Sequence, residues 1–429
     1  MKYFCIALLA YSLLQQIGYS QEKYSFDLSE IEKKAFQFNG YLEARPVFSM
    51  LDQDSSLTLL QFYTNNINKT VSEFNFKAML DTSFEKGITK VQARLNTDLR
   101  YSDPDWSLQA SLYEGYLSIK PSLQFKIEIG KKRLKWGKGY AWNPVAFIDN
   151  PKNPNDPDLA LEGFTVLSID FIKSFPGKLR TLSFTSILLP VFTHINSELG
   201  RHNTLNFGGK LYLLLFDTDI DFLFLTGPGV SSRYGIDFSR NFSSNFEFHG
   251  EWAYTSNFSK KILNAEGLPS EANIDYTSYL LGFRILTKTE TTFILEYYWN
   301  GKGYTREEMD DYYCFINQAY SLFQETGNED DLQLASSFTE YRTFSPTQNY
   351  LYLRINQKEP FNIIYFTPSL TGICNLKDGS FSLVPELLYI PVTNFELRAR
   401  GMVLIGKNET EFGEKQNNFR VELRLRYFF

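Results

Sequence analysis

The sequence is poor in histidine and cysteine, and it lacks a long apolar run. Three of its 429 residues are His and three are Cys, so there is little material for histidine-dependent catalysis. Downstream of residue 20 no window holds 18 consecutive apolar residues, and the nearest approach, 211–225, is interrupted by Asp217, Asp219 and Asp221. Because a transmembrane helix needs about 20 apolar residues, we predict none in this part of the chain.

Cofactor motifs and strong basic character are also missing. The sequence has no Walker motif, no Cys-x-x-Cys pair and no glycine-rich dinucleotide loop, so we expect no cofactor and no bound metal. The net charge of −6 argues against a nucleic-acid partner, because neutralising phosphates requires clustered cations.

Aromatic residues, by contrast, are abundant. They form 17% of the chain, with 27 Tyr and 39 Phe. Aromatic side chains suit the pleated, half-buried surface of a sheet, and the composition therefore favours strands over helices.

The N-terminus has the pattern of a secretory signal peptide. Lys2 precedes a short apolar stretch, 3–14, and Gly18-Tyr19-Ser20 is a small-x-small cleavage site. The apolar stretch is too short to span a membrane. We therefore predict a signal peptide over 1–20, a short periplasmic or lumenal tail over 21–35, and one domain over 36–429.

The mature chain alternates apolar and polar residues with a period of two. The pattern runs through Lys90–Tyr101 and Asn245–Tyr254 and is clearest at the C-terminus, where apolar residues from Val421 to Phe429 alternate with Arg and Glu. Only a strand can use such a pattern, because successive side chains point to opposite faces. In a membrane, alternating strands are stable only in a closed barrel, which pairs every backbone polar group.

The C-terminal strand resembles the closing strand of bacterial outer-membrane β-barrel proteins of porin-like type, with Leu425, Tyr427 and the terminal Phe429 as its signal. The resemblance implies an all-β, antiparallel up-and-down transmembrane barrel in the outer membrane of a Gram-negative bacterium. It also implies outer-membrane lipid, lipopolysaccharide and the barrel assembly machinery as partners. The sequence leaves the oligomeric state, monomer or trimer, open.

We count eighteen strand-like runs, with a range of sixteen to twenty because 57–62 could be a further strand. Under this count all long connections fall on the outer side, while the short turns fall on the periplasmic side, as in known barrels. The long connections are 135–162, 190–203, 256–273, 300–346 and 406–416.

The polar faces of the strands predict two charged walls of the lumen. Opposed charges in a wet lumen favour a channel for small polar, including anionic, solutes; a plugged barrel held by salt bridges is the alternative. The basic wall comprises Arg94, Arg100, Arg398, Arg400, Arg420, Arg424 and Arg426. The acidic wall comprises Asp219, Asp221, Asp237, Glu247, Glu251 and Glu296.

The stretch after residue 132 is the candidate specificity loop. Its Arg-x-x-Trp-Gly start followed by Asn-Pro looks like a stretch found in several outer-membrane barrel families. Two interpretations stay open: a constriction loop folded into the lumen, or a compact outer loop whose aromatic residues lie at the membrane interface. Its candidate residues are Arg133, Trp136, Tyr140, Trp142 and Asn143. Four nearby oxygen donors allow a surface Ca²⁺ site as a minor alternative: Asn153, Asn155, Asp156 and Asp158.

Cys314 and Cys374 both fall on the outer side. Export passes through an oxidising compartment, so a disulfide between them is feasible, with two free thiols as the alternative.

A pore is thus the first functional hypothesis, and we expect no enzyme. The rivals are a non-enzymatic structural, adhesive or surface-polymer barrel and a barrel hydrolase. The hydrolase would have to use one of the three histidines, among which only His249, near Ser244 and Glu251, lies on a strand.

Overall fold

The computed structural model describes residues 35–64, 68–102 and 105–429. The predicted signal peptide and nearly all of the predicted tail lie outside these residues. In the described part, eighteen antiparallel strands pair each with the next in sequence, and β1 also pairs with β18, with Tyr41 opposite Phe428. The predicted eighteen-stranded closed barrel is confirmed.

The strands differ in length, and the longest project beyond their neighbours. In chain order they are β1 (Phe36–Leu51), β2 (Thr70–Lys86), β3 (Thr89–Ser102), β4 (Asp105–Ile119), β5 (Phe125–Lys132), β6 (Phe164–Ser174), β7 (Leu179–Val191), β8 (Thr204–Leu215), β9 (Thr218–Thr226), β10 (Arg233–Ser243), β11 (Phe246–Leu263), β12 (Pro269–Leu286), β13 (Thr291–Trp299), β14 (Asn349–Gln357), β15 (Phe366–Asn375), β16 (Phe381–Val392), β17 (Phe395–Ile405) and β18 (Asn417–Phe428).

The alternation in the sequence becomes an apolar outside and a polar inside. On β18, Leu423 and Leu425 lie on the outer surface, 47% and 44% exposed, while Arg424 between them is 4% exposed and faces the lumen. The other strands repeat this arrangement, and many of the exposed large side chains are Phe, Leu or Ile. An apolar outer surface over a polar interior is the arrangement that lipid requires.

The connections separate by length at the two ends of the barrel. Phe36 and Phe428 lie at the turn end, where most connections are short, and the long connections lie at the opposite, loop end. Among the described residues, no helix combines the length and the apolarity needed to span a membrane.

One predicted long loop is wrong. The segment 256–273 is mostly strand, because β11 and β12 continue to Leu263 and from Pro269, with a bulge between Thr255 and Phe258. Its polar Ser, Asn and Lys residues do not alternate with apolar ones. Outside the membrane a strand does not need that alternation, which is why the pattern indicated a loop.

Three helices close part of the loop end. The segment 52–69, in which 57–62 was left open as a strand, contains α1 (Ser56–Phe62). The predicted loop 300–346 contains α2 (Arg306–Thr326) and α3 (Asp330–Ser337). The three helices share an apolar core, and we call this unit the cap. Its core includes Leu57, Tyr312, Ile316, Leu332 and Tyr341.

The projecting β11–β12 hairpin holds the cap to the barrel. Leu263 is fully buried in the cap core, and its backbone N–H donates a hydrogen bond to the Tyr341 hydroxyl at 3.2 Å. The Lys260 ammonium forms an ion pair with Glu308 at 2.7 Å. The cap is therefore packed on a rigid extension of the wall.

Candidate functional site

The connection between β5 and β6, residues 133–163, lies inside the barrel, and we call it the crossing loop. Its first half contacts the wall at β9–β13, and its second half contacts β16–β18. The outermost of these contacts, Lys138 with Asp221 on β9 and Asp156 with Arg424 on β18, are nine strands apart in the circle of eighteen. The segment therefore crosses the lumen from one wall to the other.

Two buried carboxylates of the acidic wall hold the backbone of the crossing loop. Glu251 accepts hydrogen bonds from the backbone N–H groups of Lys138 and Gly139 at 2.6 and 2.7 Å. Glu296 accepts from the backbone N–H groups of Tyr140 and Ala141, the latter at 2.9 Å. Carboxylate acceptors make strong, charge-assisted bonds with N–H donors, so these four bonds fix the path of the chain.

Asn143 adds a side-chain contact at the same place. Its amide donates to Glu251 at 2.9 Å and to the Gly139 carbonyl oxygen at 3.0 Å. Gly137 lies against this amide with a positive φ of 92°, and a Cβ there would lie 2.6 Å from the Asn143 amide nitrogen. Glycine is required at this position for both reasons.

Lys138 brings a cation of the crossing loop to the acidic wall, closer to Asp221 than Lys210 of β8, which lies 3.8 Å from it. The Lys138 ammonium lies 2.8 Å from Asp221 and 3.8 Å from Asp237, two carboxylates that face each other across β9 and β10 and are 1% and 0% exposed. Two adjacent buried carboxylates repel each other, and a cation between them offsets that repulsion. The prediction missed Lys138; its position between two glycines, where a long side chain can extend from a tight turn, was the available signal.

Asp156 makes the matching contact on the basic wall. Its carboxylate forms ion pairs with Arg400 at 2.8 Å and with Arg424 at 2.5 Å. Burial alone would raise the pKa of the Asp156 carboxyl, but the two guanidinium groups hold that pKa well below its usual range. Asn155 and Asp158 contact Ser382 and Arg354 of the wall.

These contacts correct two expectations. The Ca²⁺ alternative placed Asp156 at the surface, whereas its carboxylate lies in the lumen and is paired with Arg400 and Arg424. The outer-loop interpretation is wrong for Trp136 and Trp142, because both are buried in the lumen, 3% and 6% exposed.

The aromatic side chains of the crossing loop pack inside the barrel instead. Trp142 stacks on Tyr298 with ring centres 5.0 Å apart and donates its indole N–H to Ser345 at 2.9 Å. Trp136 packs on Phe147 and on lumen-facing aliphatic residues of β6, β7 and β9. The ring of Tyr140 lies 5.7 Å from that of His249.

The remaining predicted lumen charges are largely paired. All seven arginines of the predicted basic wall have a carboxylate within 4.0 Å, so this wall is a mosaic of ion pairs and not a basic surface. Arg133 contributes its backbone N–H to Glu114 at 3.2 Å. On the acidic wall, Asp219 accepts from the Tyr212 hydroxyl and Glu247 pairs with Arg284.

Some ion pairs of the inner wall stay partly accessible. Arg94 and Asp81 on β3 and β2 are each 28% exposed, and Arg284 on β12 is 44% exposed. By contrast, the carboxylates that hold the crossing loop are almost completely buried. Accessible charges therefore remain on other parts of the inner wall.

The other singled-out residues do not form a catalytic group. The His249 ring is fully buried, with Nε2 2.9 Å from Glu296 and Nδ1 3.8 Å from Glu247, while the Ser244 hydroxyl donates to Asn245. His194 and His202 lie in the exposed part of the 192–203 connection. Cys314 and Cys374 are both free thiols, so the disulfide is not formed.

Comparison with known proteins identifies the fold. No family model matches the chain, and no curated protein matches it. Solved structures do match. OccAB1 of Acinetobacter baumannii has 12% identity and a TM-score of 0.53 over 91% of this chain and 96% of that one. OccK5 (OpdH) and OpdQ of Pseudomonas aeruginosa have 12% and 11% identity, each with a TM-score of 0.51 over 91% of this chain and 98% of theirs. The chain therefore has a porin-like β-barrel fold.

Proposed function

We propose that this protein is a channel in the outer membrane of a Gram-negative bacterium, through which small polar solutes pass passively. The apolar outer surface of the strands supports a position in lipid, and the charged inner surface supports contact with water. Export by a signal peptide at 1–20 is part of the same proposal.

The crossing loop is the observation that carries the proposal. A loop held at both walls divides the lumen and narrows the passage that remains. That passage is bordered by accessible charged groups of both signs, Arg94, Asp81 and Asp98 among them. Paired charges of both signs favour small polar solutes over apolar ones, because they replace part of the hydration that a solute loses on entry.

A second candidate is a closed barrel with a structural or adhesive role. Two observations favour it: the cap covers part of the loop end, and the 406–416 connection also enters the lumen, where Phe412 packs against Trp142 and Tyr350. In that case the ion pairs would serve only to hold the interior together.

Liposome swelling separates the two candidates. For a channel, vesicles that contain the purified protein swell in isosmotic arabinose and swell more slowly in the larger stachyose, because the crossing loop restricts size. Vesicles without protein serve as the control. Swelling no faster than in that control, for both sugars, would overturn the channel and support the closed barrel.

A further inference from the structure

A cavity of about 390 Å³ lies between the crossing loop and the wall near the loop end. Its volume is within the range of small-molecule sites, roughly 300–1,000 Å³. Four cationic side chains line it: Arg133 and Lys152 from the crossing loop, Arg233 from the start of β10, and Lys302 from the segment before the cap. The rings of Tyr276 and Tyr298 line it as well.

These four cations differ from the other lumen cations in having no carboxylate partner among the described residues. Arg233 donates from Nη1 to the Phe147 carbonyl oxygen at 3.3 Å, and its buried Nε has no partner. The buried Nε of Arg133 also has none. Lys152 donates only to carbonyl oxygens, that of Gly139 at 2.7 Å among them. The basic-wall arginines, in contrast, are all ion-paired.

Two acids also line the cavity, and they offset only part of the charge of the four cations, with Asp149 interacting electrostatically with Arg133. Both carboxylate oxygens of Asp149 accept backbone N–H groups, from Leu134 at 3.1 Å and Trp136 at 2.9 Å. Glu198 lies in an exposed turn of the 192–203 connection. The lining therefore holds four cations and two acids.

Convergence of unpaired cations on one cavity is unfavourable without an anion, because like charges repel. The repulsion is strongest where protein excludes water, as at the buried Nε atoms of Arg133 and Arg233. Lys302 lies at the exposed edge of the cavity, and the protein around its ammonium and the neighbouring Arg233 both lower its pKa. Burial likewise lowers the pKa of Lys152. A bound anion would relieve this repulsion.

We infer that this cavity binds a small organic anion, whose carboxylate or phosphate pairs with Arg233 and Lys302 and whose body lies against Tyr276 and Tyr298. Because the cavity lies beside the crossing loop at the loop end, the anion would bind there before it enters the passage. The inference deepens the proposed function and rests on it for this role in uptake, whereas binding itself can be measured independently.

Calorimetric titration of the detergent-purified full chain tests the inference with two matched pairs of probes. Glucuronate and glucose share a sugar ring, and benzoate and benzamide share an aromatic ring, while only the first of each pair is an anion. We expect at least one anion to bind at least tenfold more tightly than its neutral partner. Equal affinities within both pairs, or no binding of either anion, would overturn the inference.

Variants locate the site. Arg233→Gln with Lys302→Gln should weaken binding of the preferred anion at least tenfold. Arg306→Gln with Lys358→Gln removes two exposed cations elsewhere and should change binding less than twofold. Heat-modifiable migration on a gel reports folding of each variant, and Lys302→Gln alone replaces the double variant if that one does not fold. Unchanged anion binding in the cavity variant would overturn the assignment of the site.

The outcome is distinguishable from that of the proposed channel. If the protein binds the anion but vesicles do not swell, the binding site is supported and the channel is rejected. If vesicles swell but the protein binds neither anion, the channel is supported and the binding site is rejected.

Discussion

Glu251 and Glu296 are buried carboxylates on the inner wall, 3% and 0% exposed, and each accepts main-chain hydrogen bonds from the crossing loop. The strand pattern predicted that both face inward, and they do. It could not predict that they bind a segment more than 100 residues away in sequence, since alternation reports only the face of a strand. A charged side chain inside a barrel is therefore free for solutes only where no loop reaches it.

Lys138 provides the first prediction at this scale. Lys138→Met leaves Asp221 and Asp237 buried without their nearest cation, and breaking a buried ion pair costs about 3 kcal/mol. We expect the free energy of unfolding to fall by about this amount. Urea denaturation of the detergent-solubilised protein measures it. The triple variant Lys138→Met, Asp221→Asn, Asp237→Asn removes the uncompensated charge and should recover most of the loss. A triple variant no more stable than Lys138→Met would show that charge is not the cause.

Asp156 gives a prediction about pH. Because its folded-state pKa is depressed, its ion pairs stabilise the fold fully above the unfolded pKa, about 3.9, and this contribution is lost as the pH falls towards the lower folded value. Asp156→Asn should therefore lower stability by roughly 2 kcal/mol, equally at pH 5 and pH 8. The difference in stability between the variant and the original chain should narrow below about pH 4. Thermal unfolding at a series of pH values checks this, and a difference that already narrows between pH 8 and pH 5 would contradict it.

At the scale of elements, the strands were predictable and the helices were not recognised. Each strand has its own alternation, which the barrel requires. The helix α2 also has a local signal: Thr305 and Glu308 form a capping box, and the apolar residues Tyr312, Ile316 and Ala319 follow at helical spacing. This signal was overlooked because 300–346 was predicted as one long outer connection.

The crossing loop could not be predicted from its own residues. Its prolines and glycines indicate irregular backbone, and its tryptophans suit a membrane interface as well as a packed interior. Its location depends on long-range contacts with the wall, made by Asp221, Glu251, Glu296 and Arg424. A single sequence carries no local pattern for such contacts.

Cys314 provides a prediction about the orientation of the cap. It is an exposed free thiol on α2, at the loop end. If the loop end faces the cell exterior, a membrane-impermeant maleimide should label the protein on intact cells, and Cys314→Ser should abolish that labelling. Cys374→Ser serves as the matched control, because this thiol is only partly exposed. Labelling that requires cell lysis would place the loop end in the periplasm.

The whole molecule is a barrel whose interior is divided by a loop that is attached to opposite walls. The attachment uses Lys138 on the β9–β10 side and Asp156 on the β17–β18 side. The proposed passage is then narrower than the barrel. Its conductance should consequently depend on the two attachments and not only on the number of strands.

Single-channel recording in planar bilayers tests this claim most directly. The original chain should give discrete conductance steps, and the double variant Lys138→Met, Asp156→Asn should give larger and noisier steps, because the loop is released from both walls. The control Lys120→Met, Asp217→Asn makes the same chemical changes at exposed positions of the turn end and should conduct like the original chain. Steps of equal size and noise in all three proteins would contradict a loop that sets the width of the passage.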